Sequence, residues 1–141
     1  MQASAHITSQ LTDSLKAAAG LTLDDYEVLV HLSEADDRRL RMTELSQQLL
    51  HSQSRSTQRV DRLVKKGLVE REKCPDDRRG TFACMTDQGM AVIEQAAPGH
   101  VDDVRRLLID LIEPSERSVI SAVFERIIDT VNDEPPASQR D

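Results

Sequence analysis

Between His51 and Gly67 the sequence runs HSQSRSTQRVDRLVKKG, crowding small hydroxyls and guanidinium groups together. Ser52, Ser54, Ser56 and Thr57 gather at its start, and Arg55, Gln58, Arg59 and Arg62 follow. Short hydroxyls and exposed backbone N–H groups suit phosphate oxygens, while Gln and Arg present paired hydrogen bonds to base edges. A second basic group, Asp76-Asp77-Arg78-Arg79-Gly80, lies in a turn-rich connection. Arginine at such a tip is drawn to the concentrated negative potential of a narrow minor groove. This chemistry is recognition rather than bond making. The four histidines match no catalytic spacing, so no enzyme is expected. Cys74 and Cys84 are not spaced as zinc ligands, and the five glycines form neither GxGxxG nor GxxxxGK[ST]. No metal or cofactor is expected.

The overall charge of −7 opposes a nucleic-acid partner only on average. Residues 51–80 carry nine Lys and Arg against five Asp and Glu, so a basic segment sits in an acidic frame. Charges interact over about 8 Å at physiological salt, and the local excess decides. Tyr26, Phe82 and Phe124 are the only aromatics, too few to stack unpaired bases, so the duplex form is the expected partner. With a mean hydropathy of −0.47, no apolar run of membrane-spanning length and no signal-peptide pattern at the start, a cytoplasmic protein without a membrane partner is expected.

The elements that must position these groups follow from apolar spacing and capping residues. A first helix is predicted from about Gln2 to Ala18, stopped by Gly20, and a second after Thr22. Asp36-Asp37-Arg38-Arg39 then breaks the pattern. Thr43 is expected to cap a brief third helix, and a tight turn leads to a fourth over Gln53–Lys66, closed by Gly67. Residues 68–73 and 80–85 read as a strand hairpin. Thr86 caps a long fifth helix running toward Leu111, in which Pro98-Gly99 predicts a kink or break. Pro114 opens a sixth helix with an apolar stripe from Val119 to Val131. The tail from Glu134 has no periodicity and is expected to be disordered.

On a helical wheel with Val60 at zero, Ser56, Leu63, Val64 and Gly67 fall on the inner side and Arg55, Gln58, Arg62 and Lys65 on the outer, with Arg59 and Lys66 flanking it. Two short helices followed by an arginine-tipped hairpin describe a winged helix-turn-helix, mainly α with a small β wing. From Leu21 to Leu111 the chain resembles the MarR family of bacterial transcription regulators. The resemblance is carried by Leu23-x-x-Tyr26-x-Val28-Leu29, Leu45-Ser46-x-x-Leu49, Val60-Asp61-Arg62-Leu63-Val64-x-x-Gly67-Leu68-Val69-Glu70-Arg71, the Asp76–Gly80 tip and Met85-Thr86-Asp87-x-Gly89. It implies that the fourth helix enters the major groove, that Arg79 reaches the minor groove and that Asp77 orients the wing. Asp61 either ties the reading helix to the wing or pairs with Lys65 four residues on. Gln58 followed by Arg59 leaves adenine and guanine both open as the base read.

The same resemblance implies a homodimer built by residues 1–18 and 87–133 around a DNA-binding region at 19–86, with 134–141 as the tail, and a near-palindromic operator. It also implies a repressor relieved by a small, often phenolic or anionic, effector or by cysteine oxidation. Tyr26 and His31, on different faces of the second helix, could border an effector cavity; His6, His51 and His100 read as surface residues. Cys74 lies beside Lys73 at the wing base, and Cys84 is expected out of register with it, against an intrachain disulfide. The alternative is a winged-helix module that binds protein through its apolar terminal helices, which would leave the basic outer face without a task.

Overall fold

The computed structural model describes residues 2–75 and 80–133. Its elements are α1 (Gln2–Ala19), α2 (Leu23–Glu34), a 3-10 turn at Asp36–Arg38, β1 (Arg39–Arg41), α3 (Met42–Gln48), α4 (Gln53–Lys65), β2 (Val69–Lys73), β3 (Thr81–Met85), α5 (Asp87–Leu107), a 3-10 turn at Ile109–Leu111, and α6 (Pro114–Asp133). The chain is mostly helical with one antiparallel sheet of strand order β1-β3-β2. The described residues divide into two compact units, the boundary falling after Val104.

In the first unit, local chemistry sets most boundaries. Gly20, at φ +66°, ends α1. Thr22 and Asp25 form a reciprocal cap on α2, with Asp25 N donating to Thr22 Oγ1 at 3.1 Å and Thr22 N to Asp25 Oδ2 at 3.4 Å. Gly67, at φ +72°, closes α4: its N–H donates to Val64 O and that of Leu68 to Leu63 O, the paired bonds of a Schellman motif. Thr86 then joins two elements, accepting from Gly89 N at the start of α5 and donating to Gly67 O. Leu50, after α3, holds the same left-handed position at φ +52° without glycine's freedom, a strain of about 1 kcal/mol.

Three expectations change. Thr43 lies inside α3 rather than capping it; the helix starts after Arg41, whose N–H donates to Glu44. The polar Asp36–Arg39 stretch is not only a break, because Arg39–Arg41 pairs with β3 and turns the hairpin into a three-stranded sheet. A three-residue strand with one apolar side chain, Leu40, owes its existence to that partner. Pro98 does not break α5, since the missing donor is one among many in a helix of 21 residues; the helix instead ends at Leu107, before the expected Leu111.

The core is aliphatic, as the scarcity of aromatics requires. Leu15 of α1, Val28, Leu29 and Leu32 of α2, Leu45 of α3, Val60 and Leu63 of α4, Val69, Ala83 and Ile93 pack into one cluster. In the second unit, Glu113 N donates to Glu116 and Pro114 opens α6, whose Val119, Val123, Phe124, Ile127 and Ile128 are solvent-exposed in the single chain. Among the described residues no helix is long and apolar enough to cross a membrane. The tail from residue 134 lies outside the described residues.

Gly89 packs so closely that a Cβ there would run into the Leu68 carbonyl oxygen and the Met85 side chain. Gly89→Ala is expected to lower stability by about 2–3 kcal/mol in urea unfolding, because backbone on the far side cannot yield. An unchanged midpoint would contradict this packing.

Candidate nucleic-acid interface

α4 begins at Ser52, whose hydroxyl accepts from Arg55 N and lies 3.2 Å from the Ser54 hydroxyl. Ser52, Ser54, Arg55, Thr57, Gln58, Asp61 and Lys65 are exposed along this helix. Together they give a polar, cationic outer face at a helix N-terminus, where unpaired N–H groups favour anions.

Two residues of the sequence-predicted contact set are not on that face. Ser56 is buried with no partner for its hydroxyl, packing where α4 meets the core as the wheel implied. Arg59 is also buried, with a side chain only 7% exposed: Nη2 lies 2.8 Å from Asp24 Oδ2 and Nη1 3.7 Å from Glu27 Oε2, both on α2. Its guanidinium runs along the His51 ring at 3.3–3.4 Å, so His51 is engaged rather than a bare surface group. Arg62 stays half-exposed but bonds Asp25 Oδ1 at 3.1 Å. Lys66 reaches Asp25 Oδ2 at 3.3 Å and the Gly20 carbonyl at 2.8 Å. Three cations spaced at 59, 62 and 66 therefore bind three carboxylates of α2.

Asp25 is the hub of this clamp and is 1% exposed. Burial alone pushes its pKa up, but the Thr22 backbone N–H, Lys66 and Arg62 overcome that and hold the carboxyl below its ordinary value. Asp61 pairs with Arg71 of β2 at 2.9 Å, and Arg71 also donates to Thr57 O. Of the two partners left open for Asp61, the structure selects the strand and not Lys65.

β2 and β3 form the sides of the wing, with Cys74 N donating to Gly80 O where the strands part. Asp77, Arg78 and Arg79 lie outside the described residues. On the sheet surface the Arg39 and Arg41 guanidiniums sit 5.1 and 5.4 Å from the Phe82 ring centre, a cation–π arrangement. Cys84 faces Glu70 and Arg39 in the register, away from Cys74, and both thiols are free. Cys74 is buried, and burial with Glu72 alongside pushes the Cys84 thiol up to about 11.

Tyr26 and His31 border separate cavities. His31 lies in one of about 350 Å³ with Glu34 and Gln48, whereas Tyr26 lies in another of about 330 Å³ with His100. Burial raises the Tyr26 pKa, so its hydroxyl stays protonated at neutral pH. His100, read from the sequence as a surface residue, packs on Tyr26 with ring centres 4.5 Å apart, and burial lowers its pKa against the opposing pull of Asp103. Its spacing from Tyr26 along the chain offers no local signal. Among the described residues no group of three or more His, Cys, Asp or Glu could hold a metal ion.

A short helix pair, a polar reading helix and a strand wing braced to it by Asp61–Arg71 define a winged helix-turn-helix regulator, and comparison with known proteins places it in a family. The MarR family model matches residues 19–80. Sco3205, a MarR family transcriptional regulator from Streptomyces coelicolor solved in complex with DNA, is 36% identical, with 99% of this chain and 87% of that one covered at a TM-score of 0.91. AbsC, a MarR family transcriptional regulator from the same organism, is also 36% identical, with 94% and 89% covered at 0.90. The transcriptional repressor YetL of Bacillus subtilis is 27% identical over 114 residues, spanning 79% of this chain and 68% of that protein. The chain belongs to the MarR family of transcriptional regulators.

Two substitutions test this geometry. Ser56→Ala removes a buried, unpaired hydroxyl and is expected to raise stability by about 1 kcal/mol in urea unfolding; a comparable loss would mean the hydroxyl has a partner. Asp25 has a folded pKa below its unfolded value of about 3.9. Its contribution is therefore present above pH 4 or so and disappears as pH falls through the lower folded value. Asp25→Asn should cost about 2 kcal/mol at pH 7 and flatten the acid limb of a stability–pH series. An acid limb as steep as the parent's would place the titrating group elsewhere.

Proposed function

We propose that the protein is a homodimeric, sequence-specific double-stranded DNA-binding repressor, relieved by a small ligand. The single observation that carries the reading is the exposed α4 face of Ser52, Ser54, Arg55, Thr57 and Gln58, presented at a helix start and followed by the wing with Asp77, Arg78 and Arg79 in its connection. Sco3205, matched over nearly the whole chain, was solved with DNA, and YetL is named a repressor. The burial of Arg59 favours Gln58 as the base-reading residue, and Gln pairs best with adenine.

Dimerisation is supported by the exposed α6 row, where Phe124 is 59% exposed between Val123, Ile127 and Ile128. A contiguous apolar face of that kind suits a second copy, and two-fold symmetry then sets half-sites about one DNA turn apart. Relief by a ligand is favoured over relief by oxidation, because one cysteine is buried and the other thiol is held protonated.

Binding to a near-palindromic duplex should weaken as salt rises, with a linear fall of log K against log salt. Arg55→Ala and Arg79→Ala are each expected to lower affinity and to reduce that slope by about one. Gln58→Ala should instead cost about 1–3 kcal/mol at one base position and relax selectivity there. A flat salt dependence, or wild-type affinity in Arg55→Ala and Arg79→Ala together, would overturn the reading.

A further inference from the structure

The cavity beside Tyr26 is bordered by Leu23, Asp24, Tyr26, Glu27, Val30 and His100. Its charged groups are the two carboxylates Asp24 and Glu27, and these are the groups that hold the buried Arg59 of α4. His100 contributes its ring to the wall, while its Nδ1 atom is buried and has no hydrogen-bond partner. A second cavity shares the Tyr26 and Val30 walls, and its charged lining is again acidic, Glu34 and Glu94. Tyr26 thus stands between two hollows whose titratable borders carry no Lys or Arg. Its volume, about 330 Å³, lies at the lower end of small-molecule sites.

An anionic effector would meet carboxylates here. The cation these carboxylates hold, Arg59, is already shared by both of them and nearly shut off from solvent. A cation meets the reverse situation: two carboxylates with one positive charge between them, and the faces of a tilted Tyr–His pair that favour positive charge and apolar carbon. We propose that this cavity binds a small organic ammonium, and that the ligand competes with Arg59 for Asp24 and Glu27. For its effect on transcription, the proposal rests on the repressor reading above.

The competition supplies the coupling. Arg59 sits mid-way along α4, between Gln58 on the outer face and Val60 in the core. When an ammonium takes over Asp24 and Glu27, Arg59 loses both its carboxylate partners in a buried setting and α4 loses one of the ties that fix it against α2. The state with α4 fixed binds duplex better, so the ligand and the duplex oppose one another, each weakening the other by the same factor.

The test uses the full chain without DNA first. Benzylamine, charged at pH 7, is compared with benzoate, which has the same ring and the opposite charge, by thermal unfolding and calorimetric titration. Benzylamine is expected to raise the unfolding midpoint saturably, by about 3 °C, and benzoate to leave it in place. Asp24→Asn with Glu27→Gln should abolish the shift. Arg59→Gln should bind benzylamine about tenfold more tightly, a signature of a removed competitor that a merely structural arginine does not give. A shift with benzoate alone, no shift with either probe, or a shift that survives the Asp24→Asn/Glu27→Gln change overturns the proposal. Duplex affinity is then measured with and without saturating benzylamine, and a fall supports the coupling. A chain that binds benzylamine as described but ignores every duplex refutes the repressor reading and leaves the ammonium site standing.

Discussion

A single carboxylate shielded from water organises the packing of α4 against α2. Asp25 starts α2 by completing the cap with Thr22, and the same two oxygens receive Arg62 and Lys66 from α4. Burying a charge is costly unless it is paired and hydrogen-bonded, and Asp25 is both. The geometry this imposes is specific: α4 can satisfy Asp25 only in one rotation about its axis. That rotation places Val60 and Leu63 in the core, and Arg55 and Gln58 outside.

Arg59 strengthens the same constraint from the neighbouring turn. With Asp24 and Glu27 one helical turn apart on α2, and Arg59, Arg62 and Lys66 on successive turns of α4, the two helices meet along a ladder of opposite charges. On the opposite side Asp61 fastens the helix to β2 through Arg71. α4 is therefore held at both flanks by ion pairs and underneath by aliphatic packing. Its remaining exposed edge is the one with free rein to meet a ligand.

Much of this could be read from the sequence because it is local. Thr22, Ser52, Gly67, Thr86 and Pro114 mark helix ends through chemistry completed within a few residues, and the aliphatic periodicity of Val60 and Leu63 fixes which side of α4 faces inward. Apart from the start of α3 and the continuity of α5 through Pro98, what escaped was contributed by distant partners. β1 has one apolar residue and exists because β3 pairs with it. Arg59 lies beside the outer face on a wheel, and only acids more than thirty residues away pull it inward. A signal was present: Asp24-Asp25-x-Glu27 and Arg59-x-x-Arg62-x-x-x-Lys66 have matching helical spacings of opposite sign. His100 gave none, because its contact with Tyr26 joins α5 to α2 across the fold.

The acidic frame acquires a role from this arrangement. A reading helix with every cation free would gain affinity for any duplex, because each phosphate contact releases counterions whatever the sequence. Directing Arg59, Arg62 and Lys66 toward α2 lowers the number of charges offered to the backbone while the hydroxyl and amide groups of Ser52, Ser54, Thr57 and Gln58 stay exposed. Fewer exposed cations release fewer counterions on any polyanion, so the sequence-independent part of such binding is kept low while these polar groups remain accessible. The acids of α2 decide which of the α4 cations face outward; matched three to three, they leave the net charge of −7 to the rest of the chain.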